Sequence, residues 1–160
     1  MVYFAEYDSP VVKLLLTSDG QALTGLWMNR AVPPEGIRKE DGVLSQAREW
    51  LDAYFQGEAY VIDFPLEPEG TAFQRMVWEI LLTIPFGQTC SYGRIAREMA
   101  VRLGKEKMSA QAVGGAVGRN PISILSPCHR VVGAKGQLTG YAGGLEKKQW
   151  LLEHERGVRK

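Results

Sequence analysis

"CSYGRIAREMA" at residues 90–100 and "SAQAVGGAVGRNP" at residues 109–121 carry the two helix signals on which the fold turns. Ser91 and Ser109 each stand where an N-cap belongs, ahead of a short amphipathic run, and Gly118 with Pro121 closes the second run. Two short helices joined by a turn in a basic segment predict a helix-turn-helix. The second helix is costly for a core helix, because Gly114, Gly115 and Gly118 each give up about 1 kcal/mol relative to alanine. Bare backbone of this kind admits either a closely packed second helix or the groove of a nucleic acid.

Toward the N-terminus, "TAFQRMVWEILLTI" (71–84) predicts a helix capped by Thr71 and ended by Pro85. The Pro/Gly/Glu stretch before it reads as a linker, and a domain boundary near Pro68 divides the chain into residues 1–68 and 69–160. In the first part "VYFAEY", "VVKLLLTSDG" and "ALTGLWMN" alternate apolar and polar residues between turn signals and predict short antiparallel strands, with "SDGQ" as a hairpin turn. "VLSQAREWLDAYFQG" places Val43, Leu44, Ala47, Leu51, Tyr54 and Phe55 at helical spacing and stops at Gly57. "AYVIDFPLEPEG" (59–70) is expected as an edge strand running into the linker.

Toward the C-terminus, "CHRVVGAKGQLTGYAGG" (128–144) predicts two short strands around a glycine-containing turn, and "GLEKKQWLLEHER" (144–156) a last helix. On that helix Glu155 follows Leu151 by four residues and Leu152 by three, on the apolar face, whereas Glu153 points away. A carboxylate on a buried face needs a partner or a proton.

The chain has 160 residues, 45 % of them hydrophobic, enough for one good core or two small ones. It shows neither an export signal nor an apolar run of bilayer length, so the expected address is the cytoplasm and no membrane partner is expected. Its two cysteines, Cys90 and Cys128, then read as free thiols. With only His129 and His154 beside them, zinc-ligand spacing is missing. The net charge of +1 hides an asymmetry: residues 1–70 hold 5 Lys+Arg against 12 Asp+Glu, and residues 71–160 hold 14 against 6. The basic half suggests a polyanion partner, the alternative being a lopsided solvated surface.

"SILSPCHRVVG" (123–133) sets one cysteine and one histidine side by side after a proline. Pro127 forces Ser126 into an extended conformation. If a strand starts there, Cys128 and His129 face opposite ways, and proton transfer between them needs a bridging water or a non-regular backbone. With Glu155 on the other imidazole nitrogen, the set reads as a nucleophile with an oriented base. The bland alternative for Cys128 is a small buried hydrophobe.

"PCHRVV" followed by "TGYAGGLEKKQWLLEHE", and preceded by "SYGRIA" and "QAVGGAVGRNPI", resembles the 6-O-alkylguanine-DNA alkyltransferases, or methylated-DNA-protein-cysteine methyltransferases, closely over residues 71–156. The resemblance implies a two-part chain of mixed α+β and α/β class, with a small ribonuclease-H-like N-terminal sheet carrying one helix. The C-terminal domain would be a winged-helix, helix-turn-helix domain that binds DNA and performs the chemistry. It implies direct-reversal repair, with one stoichiometric transfer of the alkyl group from 6-O-alkylguanine, or 4-O-alkylthymine, in double-stranded DNA to a cysteine of a monomeric protein without a cofactor. By the same resemblance Cys128 is the alkyl acceptor, His129 the water-linked base, Glu155 its orienting carboxylate and Asn120 the tie between recognition helix and active-site loop. Tyr92 helps rotate the nucleotide out and hydrogen-bonds ring nitrogen 3 of the flipped guanine. Val117, Tyr141 and Ala142 wall the pocket, and the carbonyls of Cys128 and Val131 accept from the exocyclic amine. The DNA-facing set is Gln111, Ala112, Gly114 and Gly115, with Arg94 on the preceding helix.

Two departures stand out. Residues 1–70 lack the cysteines and histidines with which some members bind zinc, so no metal is expected. Gln111 replaces an arginine that in many members fills the gap left by the flipped base. A sensor of the same lesion without chemistry is disfavoured by Cys128 itself. A cysteine hydrolase would leave the glycine-rich helix and the charge asymmetry without a use.

Overall fold

The computed structural model describes residues 1–141 and 143–157, and the chain divides into two units. Met1–Glu69 and the short segment Pro121–Ser123 form the first; Gly70–Asn120 and the chain from Ile124 onward form the second.

In the first unit β1 (Tyr3–Asp8), β2 (Lys13–Ser18), β3 (Leu23–Met28) and β4 (Ile37–Arg38) make one sheet in the order β3-β2-β1-β4. β1 with β2 and β2 with β3 are antiparallel, and β4 runs parallel to β1. The β2–β3 turn forms because the Asp19 carboxylate accepts from the backbone N–H groups of Gln21 and Ala22, both at 2.9 Å, while Gly20 takes φ +100°. Helix α1 (Val43–Phe55) buries Leu44, Ala47 and Leu51 completely, a stripe of helical spacing set against the sheet. Gly57, at φ +88°, turns the chain away after it.

Two expectations for this unit are corrected. The edge strand foreseen over residues 59–70 reduces to one bridge at Leu66: the Leu23 N–H donates to the Pro65 carbonyl at 2.9 Å and the Glu67 N–H to the Leu23 carbonyl at 2.8 Å. Pro65 and Pro68 have no N–H to extend that ladder. The two-residue β4 carries no periodic signal and was not foreseen. Pro121–Ser123 also joins this unit through β3, with the Leu26 N–H donating to Pro121 at 2.8 Å and the Ser123 N–H to Leu26 at 3.1 Å.

The second unit contains α2 (Ala72–Leu81), β5 (Cys90–Ser91), α3 (Tyr92–Leu103), α4 (Ala110–Gly118), a 3-10 turn (Cys128–Arg130), β6 (Val131–Val132) and α5 (Leu145–Glu155). Thr71 caps α2 through a reciprocal pair with Gln74, and Ser91 and Ser109 cap α3 and α4 by accepting from the N–H groups of Arg94 and Ala112. Gly118 is the last residue of α4 and not a left-handed stop; the helix leaves through Arg119 at φ −100°. The buried indole of Trp78 donates Nε1–H to the Ala116 carbonyl at 2.8 Å and so fixes α4 against α2. β5 pairs in parallel with β6, Cys90 opposite Val131, which lays the start of α3 beside the 3-10 turn. Among the described residues the two strands foreseen over 128–144 reduce to β6, because the segment opens as a 3-10 turn and later closes a tight turn from Gly133 to Gln137. No helix among the described residues is long and apolar enough to cross a membrane.

Candidate active site

The loop from α4 to Cys128 is short and heavily constrained. Asn120 donates its side-chain N–H to the Ser126 carbonyl at 2.7 Å, bridging the end of α4 to the residue before Pro127. Inside that bridge the fully buried Ile124 sits at φ +70°, a region a β-branched residue seldom enters and one that costs on the order of 1–3 kcal/mol. Pro127 then leads into the 3-10 turn, closed by the Arg130 N–H on the Pro127 carbonyl at 3.0 Å.

That turn corrects the expectation that a strand starts at Cys128. Successive side chains of a 3-10 turn diverge by about 120°. Cys128 and His129 therefore point apart without lying on opposite faces. Cys128 packs among core residues that include Val117 and Val131, with Tyr92 and Tyr141 against the same cluster. Burial pushes its thiol above the usual range; side-chain hydrogen bonding with Asn120, the Lys148 charge and Tyr141 act the other way without overcoming it. The resting sulfur is thus a thiol at neutral pH.

His129 is completely buried, with Nε2 2.5 Å from Glu155 Oε2. A carboxylate only accepts, so Nε2 carries the proton and Nδ1 keeps the lone pair. Nδ1 is buried and has no hydrogen-bond partner among the described residues. An orphaned acceptor of this kind suits an ordered water between imidazole and thiol.

Glu155 is reached from α5 by the helical phase that buries Lys148, Leu151, Leu152 and Glu155 together. Oε1 accepts from the Gly87 N–H at 3.1 Å and from Arg130 Nε at 2.7 Å, and Oε2 from Arg130 Nη2 at 3.0 Å and from His129 Nε2. Burial alone would raise this carboxyl, but the contacts from His129 and Arg130 hold it far below the usual carboxylate range. Glu153, by contrast, accepts from the Gln149 side-chain N–H at 3.1 Å on the exposed side.

Three participants escaped the sequence reading. Arg130 forks onto Glu155 and donates Nη1 to the Ile84 carbonyl at 2.6 Å. The Gly87 N–H is a backbone group without a residue signature. Lys148 is fully buried, its Nζ donating to the carbonyls of Thr139 at 2.9 Å and Gly140 at 3.4 Å. The helix phase that singles out Glu155 selects Lys148 as well, since it lies three and four residues before Leu151 and Leu152.

The Tyr92 hydroxyl, at the start of α3, donates to the same Thr139 carbonyl at 3.0 Å. Gln111, Ala112 and Gly115 are exposed on α4, Gly114 is half-buried, and Arg94 is exposed on α3. A Cβ at Gly115 or Gly118 would meet nothing within 4 Å, and one at Gly114 would make ordinary contact with the Tyr92 ring at 3.8 Å. Close packing against a neighbouring helix therefore does not account for these glycines. Ala142 lies outside the described residues. Among the described residues no group of three or more His, Cys, Asp or Glu side chains is placed to hold a metal ion.

Comparison with known proteins finds one family in both parts of the chain. Residues 2–68 match the family model described as 6-O-methylguanine DNA methyltransferase, ribonuclease-like domain, and residues 72–157 the corresponding DNA binding domain. The chain is 45 % identical over 159 residues to the methylated-DNA–protein-cysteine methyltransferase of Mycobacterium leprae, covering 98 % of this chain and 93 % of that one. The Haemophilus influenzae protein of that name is 42 % identical over 160 residues, covering 97 % and 87 %. Among solved structures, the Mycobacterium tuberculosis O6-methylguanine methyltransferase superposes with a TM-score of 0.85 at 44 % identity, covering 100 % of this chain and 96 % of that one. The M. tuberculosis OGT in complex with DNA also scores 0.85, at 43 % identity, covering 98 % and 94 %. Matched in both parts by models of one family, and by relatives along almost its whole length, the chain belongs to the 6-O-methylguanine DNA methyltransferases.

Proposed function

We propose that this protein repairs 6-O-alkylguanine, and 4-O-alkylthymine, in double-stranded DNA by moving the alkyl group once and irreversibly onto Cys128. The observation that carries the reading is the order of the buried site: a protonated thiol, an imidazole with its free lone pair on an unpartnered Nδ1, and a carboxylate fixed on Nε2. In this mechanism the thiol proton passes through water to Nδ1. The sulfur attacks the alkyl carbon in line, the C–S bond forms, and the bond to the guanine oxygen breaks with its electron pair left on the base. The imidazolium so formed faces Glu155, which stabilises it. The product is a thioether that nothing in the site can hydrolyse, so each molecule acts once and needs no cofactor.

A stacked base cannot present its alkyl carbon to a buried sulfur, so the nucleotide is flipped. Val117, Val131, Tyr141 and Ala142 are the proposed pocket for it, with the Cys128 and Val131 carbonyls accepting from its exocyclic amine. Tyr92 is proposed to donate to ring nitrogen 3 as charge builds on the leaving base. At rest that hydroxyl shares the Thr139 carbonyl with Lys148, so Lys148 keeps the carbonyl satisfied when Tyr92 turns to the base. Arg94, Gln111, Ala112, Gly114 and Gly115 form the proposed DNA surface, where the open space around Gly115 and Gly118 lets the α4 backbone approach a minor groove. Residues 69–160 form the reacting domain in this reading, and their excess of positive charge neutralises phosphates. The protein is taken to act as a monomer in the cytoplasm, a reducing compartment that keeps both Cys90 and Cys128 as the free thiols found here.

Incubation with duplex DNA containing 6-O-methylguanine is expected to add one methyl group to Cys128 and none to Cys90, as read by peptide mass measurement. Multiple turnovers, or a methyl on another residue, would end this reading. Glu155→Gln is expected to slow transfer about a hundredfold or more while Glu153→Gln leaves it nearly unchanged, in single-turnover kinetics. Equal effects would break the relay.

The third expectation concerns Gln111, which fills space but lacks the charge and planar fork of arginine. Gln111→Arg should tighten duplex binding and steepen its salt dependence, and Gln111→Ala should slow repair of duplex DNA more than transfer from free 6-O-benzylguanine, which needs no flipping. If alanine slows both substrates alike, Gln111 does not occupy the vacated stack.

A further inference from the structure

Arg130 has no assigned part in the relay, yet it makes more contacts with Glu155 than His129 does. Its guanidinium covers both carboxylate oxygens, at 2.7 Å on Oε1 and 3.0 Å on Oε2, and its third nitrogen is anchored on the Ile84 carbonyl at 2.6 Å. We propose that Arg130 is the positioning residue that keeps His129 an uncharged base in the resting protein, by forking onto both oxygens of Glu155 and compensating its charge. The proposal rests on the transfer reading above, since only a neutral imidazole can take the thiol proton.

A buried anion facing a histidine alone draws a proton onto the ring, because an unpaired charge is costly there. A base already protonated at rest has no lone pair for the thiol. With Arg130 in place the carboxylate and guanidinium cancel, and the imidazole has no net charge to answer. Proton transfer from Cys128 then creates one negative and one positive charge together, and the charge of the buried set does not change. The charged and titratable groups acting on His129 are Glu155 and Lys148 on α5 and Arg130 in the 3-10 turn, and Cys128 at the other end of the relay also faces Tyr141 and, on α3, Tyr92. Their combined effect agrees in direction: burial pushes His129 down, Glu155 pulls it up, and Arg130 and Lys148 push it down again, with a net fall. Bidentate geometry matters as well as charge, because a lysine cannot cover both oxygens.

The chain has two histidines, and the second, His154, half-buried and stacked on Trp150 at 5.1 Å, gives a separate resonance from which His129 is told apart by the His129→Gln variant. Imidazole nitrogen NMR of the full chain across pH is expected to show His129 neutral at pH 7, with its proton on Nε2 and titrating below the ordinary value. Arg130→Met should move that titration up by about one unit or more, and Arg130→Lys by less. A wild-type His129 already protonated at pH 7 would overturn the proposal, as would an unmoved His129 in a folded Arg130→Met protein. Should the methionine variant not fold, the lysine variant decides by the same sign, and no shift there overturns the proposal. Mass measurement of methyl transfer by the wild-type protein tests the functional reading separately: a chain that accepts no methyl group would end that reading and leave the titration result standing.

Discussion

The Glu155 carboxylate is the point on which the reacting unit depends. It is buried and ionised, and it takes contacts from three places in the chain: the backbone at Gly87, the 3-10 turn through His129 and Arg130, and by its own position the end of α5. An ion in such surroundings is tolerated only when its lone pairs are filled. Filling them here fixes the ring of His129, the approach of the 84–87 loop and the register of α5 in one step. The catalytic arrangement and part of the tertiary structure therefore rest on the same bonds.

Cys128 is placed by a second constraint, independent of that carboxylate. Asn120 bridges to Ser126, Ile124 accepts an unfavourable backbone angle, and Pro127 steers the chain into the turn. A sulfur held this way sits in the apolar core as a protonated thiol, inert until a base can take its proton. Burial that suppresses stray oxidation of the thiol also makes the His129 relay necessary.

Much of this was legible in the residues. The capping serines at Ser91 and Ser109, the α1 stripe and the burial of Glu155 all follow from helical spacing, because a helix repeats its own geometry whatever surrounds it. What failed depended on partners distant in sequence. The 59–70 segment has strand-like residues, but Pro65 and Pro68 limit its ladder to one bridge. Cys128 begins a 3-10 turn where a strand was expected, since Pro127 constrains only the residue before it and leaves the following residues to tertiary contacts. Arg130 was passed over for the same reason: without the turn, nothing aims its guanidinium at a residue 25 positions away. For the α4 glycines the sequence left internal packing and external approach equally open, and only the empty space beyond Gly115 and Gly118 separates them.

The most direct test of Glu155 as the shared buried ion is a double-mutant cycle on unfolding free energy, using wild type, Glu155→Gln, Arg130→Met and the double variant between pH 3 and pH 8. Because the folded carboxyl titrates well below its unfolded value of about 4.3, its contribution is fully present above that pH and is lost as the pH falls beneath it. Each single variant is expected to lose about 3–5 kcal/mol at pH 7, the double variant clearly less than their sum, and the coupling should shrink steadily below about pH 4. Additive losses, or a coupling that does not change with pH, would contradict the claim.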